Sequence, residues 1–180
     1  MTETDVSNME VIYSPEVINK RVHELAHEIK DAGLQHLLVI AILKGSFIFA
    51  ADLIRALHDA GLSPEVDFVT LSSYRKGTQS TGRVEVLRDI DMDVSGRNIL
   101  LVDDILESGR TLAFAKDLLA ARGASRISTC VLLKKNVHRA VDIVADFHAF
   151  DCPEVFVVGY GMDVAYRYRQ LPFVGCITRE

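Results

Sequence analysis

Residues 98–123 read N-I-L-L-V-D-D-I-L-E-S-G-R-T-L-A-F-A-K-D-L-L-A-A-R-G. Ile99 to Val102 is a short, continuous apolar run, the pattern of a strand buried on both faces. From Thr111 to Arg122 apolar residues recur at helical spacing, Leu112, Ala115 and Leu119 along one line and Phe114, Leu118 and Ala121 along another. Gly123 follows, where a helix C-terminus favours glycine. Between strand and helix lies a loop with Asp103, Asp104 and Glu107, the hydroxyls of Ser108 and Thr111, and Gly109. In an open α/β sheet, such a loop at a strand's carboxyl end is where ligands bind. The unpaired N–H groups and positive dipole end of the helix start favour a phosphate. Two acids just ahead of that anion site would repel a bare phosphate. They fit a ligand that also carries hydroxyls, or a metal ion close by.

Outward from this stretch the same unit recurs. Ser14-Pro15 is an N-cap followed by proline at the first helical position; Ile18, Val22, Leu25 and Ile29 form one apolar stripe, and Gly33 ends the helix. His23 and His27 are spaced i, i+4, but they belong to the polar side of this helix and no third metal ligand accompanies them. His36 to Leu43 is a second buried strand; it runs through Lys44-Gly45-Ser46 into an apolar helix, Phe47 to Leu57, giving a second anion site at the same sheet edge. Val66 to Ser73 and Val84 to Leu87 are strands around a small, polar connection, Tyr74 to Gly82. Arg126 to Leu133, Val144 to Phe150 and Val155 to Tyr160 are further strands, and residues 1–10 are polar and expected to fray. The expected fold is α/β, a mostly parallel open sheet flanked by helices.

The 180 residues suit one domain. The chain is 49% hydrophobic and 25% charged, as expected of a soluble globular enzyme. A net charge of −5 argues against nucleic acid as a partner, since phosphate-backbone binding needs clustered Lys and Arg. Neither a membrane span nor a basic-then-apolar leader is expected. Cys130, Cys152 and Cys176 are an odd, widely spaced set, which points to reduced thiols, a cytoplasmic location and no zinc site.

Residues 99–111 resemble the PRPP-binding motif of the phosphoribosyltransferases: a hydrophobic run, an acid pair, then a small-residue phosphate loop ending in threonine. The resemblance implies that Ser108, Gly109, Arg110 and Thr111 hold the ribose 5-phosphate and that Asp103 and Asp104 hold the ribose hydroxyls and assist a metal. Leu43-Lys44-Gly45-Ser46 is similar to the pyrophosphate loop of hypoxanthine-guanine phosphoribosyltransferases, where the Leu-Lys bond is cis. Ser73 and Tyr74 are similar to the marker pair of the family's mobile lid, here about residues 73–83. Leu132-Leu133-Lys134-Lys135 resembles the segment whose lysine reads the C6 oxygen of the purine. Lys135 fits that role, and Lys134 is the alternative register. Residues 156–163 (F-V-V-G-Y-G-M-D) and 168–172 (Y-R-Q-L-P) resemble the purine-salvage pattern. There Phe156 would stack on the base, Val157 would offer its backbone to the base edge, Asp163 would help hold a second magnesium, and Arg169 would contact pyrophosphate.

The resemblance covers residue 10 to the end and implies a type I phosphoribosyltransferase domain over 1–180. Its core would span about 35–150, with a C-terminal hood of about 151–180 to which the N-terminus contributes. It also implies Mg2+ and a homodimer or homotetramer. The implied reaction joins hypoxanthine or guanine to PRPP, giving IMP or GMP and pyrophosphate. A xanthine-preferring enzyme and a PRPP- or nucleotide-sensing regulator are the alternatives. The pyrophosphate-loop lysine, the base-reading lysine and the absence of a basic stripe favour the enzyme. Three positions depart from the family pattern. Asn136 stands where bacterial members often have proline, Val164 where many have an aromatic, and Glu107 where the catalytic base is normally aspartate, a role Glu107 is expected to keep.

Overall fold

In the computed structural model, residues 9–76 and 79–177 are described, without the side chains of residues 73–83. The centre is strand β5 (Asn98–Leu106), which pairs in parallel with β2 (Leu37–Leu43) and β6 (Arg126–Lys135). The six-stranded sheet has the order β4-β3-β2-β5-β6-β7, with β3 at Glu65–Lys76, β4 at Gln79–Arg88 and β7 at Phe147–Cys152. Every pairing is parallel except β3 with β4, so the mostly parallel open sheet is as expected.

Alternation along the central strands sorts the core into two layers. Val39, Ala41, Leu100 and Val102 pack towards helices α1 (Pro15–Asp31) and α2 (Phe47–Asp59). Leu38, Ile40, Ile99 and Leu101 face the other way, onto Leu112, Ala115 and Leu119 of helix α3 (Arg110–Ala121). Both faces being covered explains why these strands read as unbroken apolar runs. Helix α1 begins at Ser14, whose hydroxyl accepts from the Val17 N–H at 3.4 Å, and buries the stripe read from its spacing. Truncating any of these fully buried leucines to alanine costs about 2–5 kcal/mol.

A second sheet of three strands, order β1-β9-β8, sits apart from the first. Strand β1 (Met9–Tyr13) runs antiparallel to β9 (Val174–Ile177), which pairs with β8 (Val157–Val158). Met9 and Glu10, expected to fray, are therefore in a strand, made by a partner from the far end of the chain. Strand β8 covers only two of the six residues from Val155 to Tyr160. Gly159 and Tyr160 adopt φ +94° and +48° and turn the chain away. Strand β7 starts three residues later than Val144, which is 70% exposed. Its entry is pinned at Asp146, whose carboxylate accepts from the Thr129 N–H and hydroxyl at 2.7 and 2.9 Å.

Candidate active site

The carboxyl ends of β2, β5 and β6 lie side by side, and the loops that leave them converge. A cleft of about 390 Å3 runs between them, lined by Lys44, Gly45, Asp103, Asp104, Glu107 and the 108–112 turn. At its floor Asp103 is buried, and its Oδ1 accepts from the Asp104 N–H at 2.9 Å. Burial pushes the Asp103 carboxyl well above the usual carboxylate range, and the neighbouring Asp104 pushes it further. Burial raises Asp104 as well. Two adjacent carboxyls in a poorly solvated position resist holding two negative charges. A cation arriving there would reverse that.

The turn after the acids is shaped by close packing. Gly109 opens α3 at φ +79° with no side-chain cap, and a Cβ there would fall 2.7 Å from Ile143 Cγ2 and 2.9 Å from the Val141 carbonyl. The Ala140 and Val141 N–H groups both donate to the Ser108 carbonyl, at 3.1 and 3.2 Å. Segment 136–143 thus straps the turn from outside. Nothing in its own composition marks it for that task. The glycine did signal a close approach, but not to what.

Opposite the acids, the Leu43–Lys44 peptide is cis. A Cβ on Gly45 would collide with the Asp104 carboxylate, and one on Gly161 would collide with the Gly45 carbonyl. Two glycines therefore let three loops touch. Lys44 is exposed, with Nζ 6.0 Å from the Tyr166 ring centroid.

Lys135 and Lys134 separate cleanly. Lys135 is buried at the end of β6 and its Nζ donates to Glu107 Oε1 at 2.8 Å. Lys134 points to the other face, where it pairs with Asp151 at 2.8 Å beside His148. Arg169 pairs with Asp163 at 2.7 Å and donates to the Gly161 carbonyl at 2.6 Å. The loop that carries them holds Tyr160, Ala165, Tyr166 and Tyr168 at positive φ, a cost of order 1–3 kcal/mol each that clusters at functional sites. Phe156 is 54% exposed while Val157 beside it is buried. The side chains of the expected 73–83 lid, those of Ser73 and Tyr74 among them, and residues 77–78 altogether lie outside the described residues; the rest of its backbone belongs to β3 and β4.

Among the described residues, no group of three or more His, Cys, Asp or Glu side chains is placed to hold a metal. His23 and His27 are exposed on α1, and His23 Nε2 lies 3.6 Å from Asp59. Magnesium does not need such a cage. It binds through one or two carboxylates, waters and substrate phosphates, and the Asp103–Asp104 pair fits that donor set. A larger cleft of about 540 Å3 lies between α1, α2 and residues 169–172, with Arg169 in its wall and none of the motif acids.

A mostly parallel sheet with an acid pair and phosphate-type turn after its central strand defines a class. The chain belongs to the phosphoribosyl transferase family, whose domain matches residues 10–165. Within that family it is similar to the hypoxanthine phosphoribosyltransferase of Salmonella typhimurium, 42% identical over 174 residues, 94% of this chain and 96% of the relative. The crystal structure of a Staphylococcus aureus hypoxanthine phosphoribosyltransferase superposes with a TM-score of 0.90 at 33% identity, over 99% of this chain and 96% of that one. The Trypanosoma cruzi enzyme in complex with the product IMP gives 0.86 at 35% identity, over 93% of each. No helix among the described residues is long and apolar enough to cross a membrane.

Proposed function

We propose that this chain transfers the 5-phosphoribosyl group from PRPP to hypoxanthine, and to guanine, releasing pyrophosphate and leaving IMP or GMP. One observation carries the reading: a single cleft gathers the acid pair, the 108–111 turn, the lysine loop and Glu107, whose carboxylate is paired with Lys135 at the end of β6. Relatives named for this reaction at about 40% identity support it.

Ser108 to Thr111 receive the 5-phosphate at the start of α3, where backbone N–H groups favour an anion. Asp103 and Asp104 take the ribose hydroxyls and, with Asp163, hold Mg2+. That ion would neutralise the leaving pyrophosphate. Lys44, Gly45 and Arg169 grip the pyrophosphate, arginine being able to hold two oxygens at once. Phe156 stacks on the purine, Val157 meets its edge, and Lys135 donates to the C6 oxygen. Glu107 takes the purine proton as C1 of the ribose passes through its cationic state. Closing of the 73–83 lid, with Ser73 and Tyr74, keeps water from that cation. The small sheet and residues 151–180 act as the hood over the base. The enzyme works in the cytoplasm as a homodimer or homotetramer, which light scattering would count.

The test offers hypoxanthine, guanine, xanthine and uracil separately with PRPP and magnesium, and follows pyrophosphate release. Release with the two 6-oxopurines is expected. Silence with every base would end the reading.

A further inference from the structure

Strands β5 and β6 pair Ile105 with Leu133 and Leu106 with Lys134, so the next two residues, Glu107 and Lys135, emerge side by side at the mouth of the base site. Their ion pair spans 2.8 Å, with the Lys135 side chain 8% exposed and that of Glu107 49% exposed. An aspartate at 107 would end one carbon sooner. The missing bond, about 1.5 Å, would leave a gap of roughly 4 Å to the ammonium, beyond hydrogen-bond reach. Glutamate at this position therefore holds the base-reading lysine in a direct, hydrogen-bonded ion pair, which a carboxylate one carbon shorter would not reach.

We propose that the Glu107–Lys135 pair sets the charge of the purine pocket and makes this enzyme select neutral 6-oxopurines over the anionic 2,6-dioxopurine, xanthine. The inference rests on the reaction proposed above. Xanthine is a stronger acid than hypoxanthine, and its nucleotide carries a base anion near neutral pH. A lone, buried ammonium would attract that anion strongly. A lysine already paired offers it little, and the free carboxylate oxygen of Glu107 repels it. Neighbouring groups leave this balance alone. Lys134 is held by Asp151 on the opposite face. Arg139 turns its guanidinium to the Lys135 carbonyl at 3.2 Å. Cys152, the β7 partner of Lys135, is buried, and burial pushes its thiol up and keeps it neutral.

Equilibrium binding tests this without requiring turnover. IMP and xanthosine monophosphate are titrated calorimetrically, in magnesium, into the wild-type protein, Glu107→Gln and Glu107→Asp. The glutamine keeps the reach and loses the charge; the aspartate keeps the charge and loses the reach. Wild type is expected to prefer IMP, and Glu107→Gln to narrow that preference by about tenfold through tighter binding of the xanthine nucleotide, as removing one unit charge a few ångströms away would do; Glu107→Asp, which keeps the charge, is expected to narrow it less. A preference unchanged or widened in Glu107→Gln overturns the proposal, as does loss of both nucleotides by both variants. Failure of the wild-type protein to bind IMP at all would instead overturn the proposed reaction.

Discussion

The two ends of the cleft hold their charges in opposite ways. At the ribose end, Asp103 and Asp104 are like charges side by side, and burial raises both carboxyls above their ordinary values. At the base end, Glu107 and Lys135 are unlike charges 2.8 Å apart. The first end is destabilised when empty and needs a cation to be comfortable. The second is satisfied when empty and must be opened by its ligand. On the reaction proposed above, binding strength and specificity would be divided between them: the ribose end would draw in a magnesium-bound polyanion, and the base end would screen a small neutral ring.

That contrast can be broken at several points. Glu107→Gln should lower turnover with hypoxanthine by about 10²–10⁴-fold, the usual contribution of a positioned base, with little change in the PRPP KM. Near-normal turnover would move the base to Asp104 or a water. Arg169→Ala frees Asp163 and removes charged hydrogen bonds. Pyrophosphate should bind about 10–100-fold more weakly, seen as a raised KM for PRPP with that for hypoxanthine little altered.

Asp103→Asn should weaken magnesium–PRPP binding and yet raise the melting temperature of the ligand-free protein by about 2–4 °C at neutral pH, equivalent to about 1 kcal/mol. The sign follows from the raised carboxyl. Folding disfavours its ionised form, so the wild-type fold loses stability as pH climbs from the unfolded value, about 3.9, through the higher folded one. The advantage of asparagine should therefore fade as the pH is lowered towards 4, in paired melting curves. Lys134→Ala should be the quietest change, altering the hypoxanthine KM by less than about twofold, because its ion pair is on the outer face and such pairs contribute little.

The centre of the core sheet was legible because its strands advertise themselves, whereas β3 and β4 continue into the polar connection expected at Tyr74 to Gly82. Ile99 to Val102 and Leu37 to Leu43 are apolar on both faces, and the polar turns after them can belong only to a sheet edge. Of the site, sequence placed the acid pair, the phosphate turn and the lysine loop on the elements where they stand. It left Lys134 and Lys135 open, and the register of β6 separates them. Less legible was everything defined by a distant partner. Strand β1 exists because Met9 lies opposite Ile177, and β8 is short because two residues of positive φ follow it. The strap 136–143 is visible only through what Gly109 cannot accommodate. The Glu107–Lys135 contact needs both the register and the extra methylene.

Pairing of β1 with β9 has a temporal meaning too. Met9 to Tyr13 leave the ribosome long before their partners Val174 to Ile177. The six-stranded sheet has its strands as soon as Cys152 has emerged, but the small sheet must wait for Ile177. At about 5–20 residues per second, β1 spends roughly ten seconds or more as an unpaired strand on the nascent chain. The part of the molecule proposed to cover the base thus forms after the main sheet, and a polypeptide truncated before Val174 would carry the 108–111 turn on a six-stranded sheet without that cover.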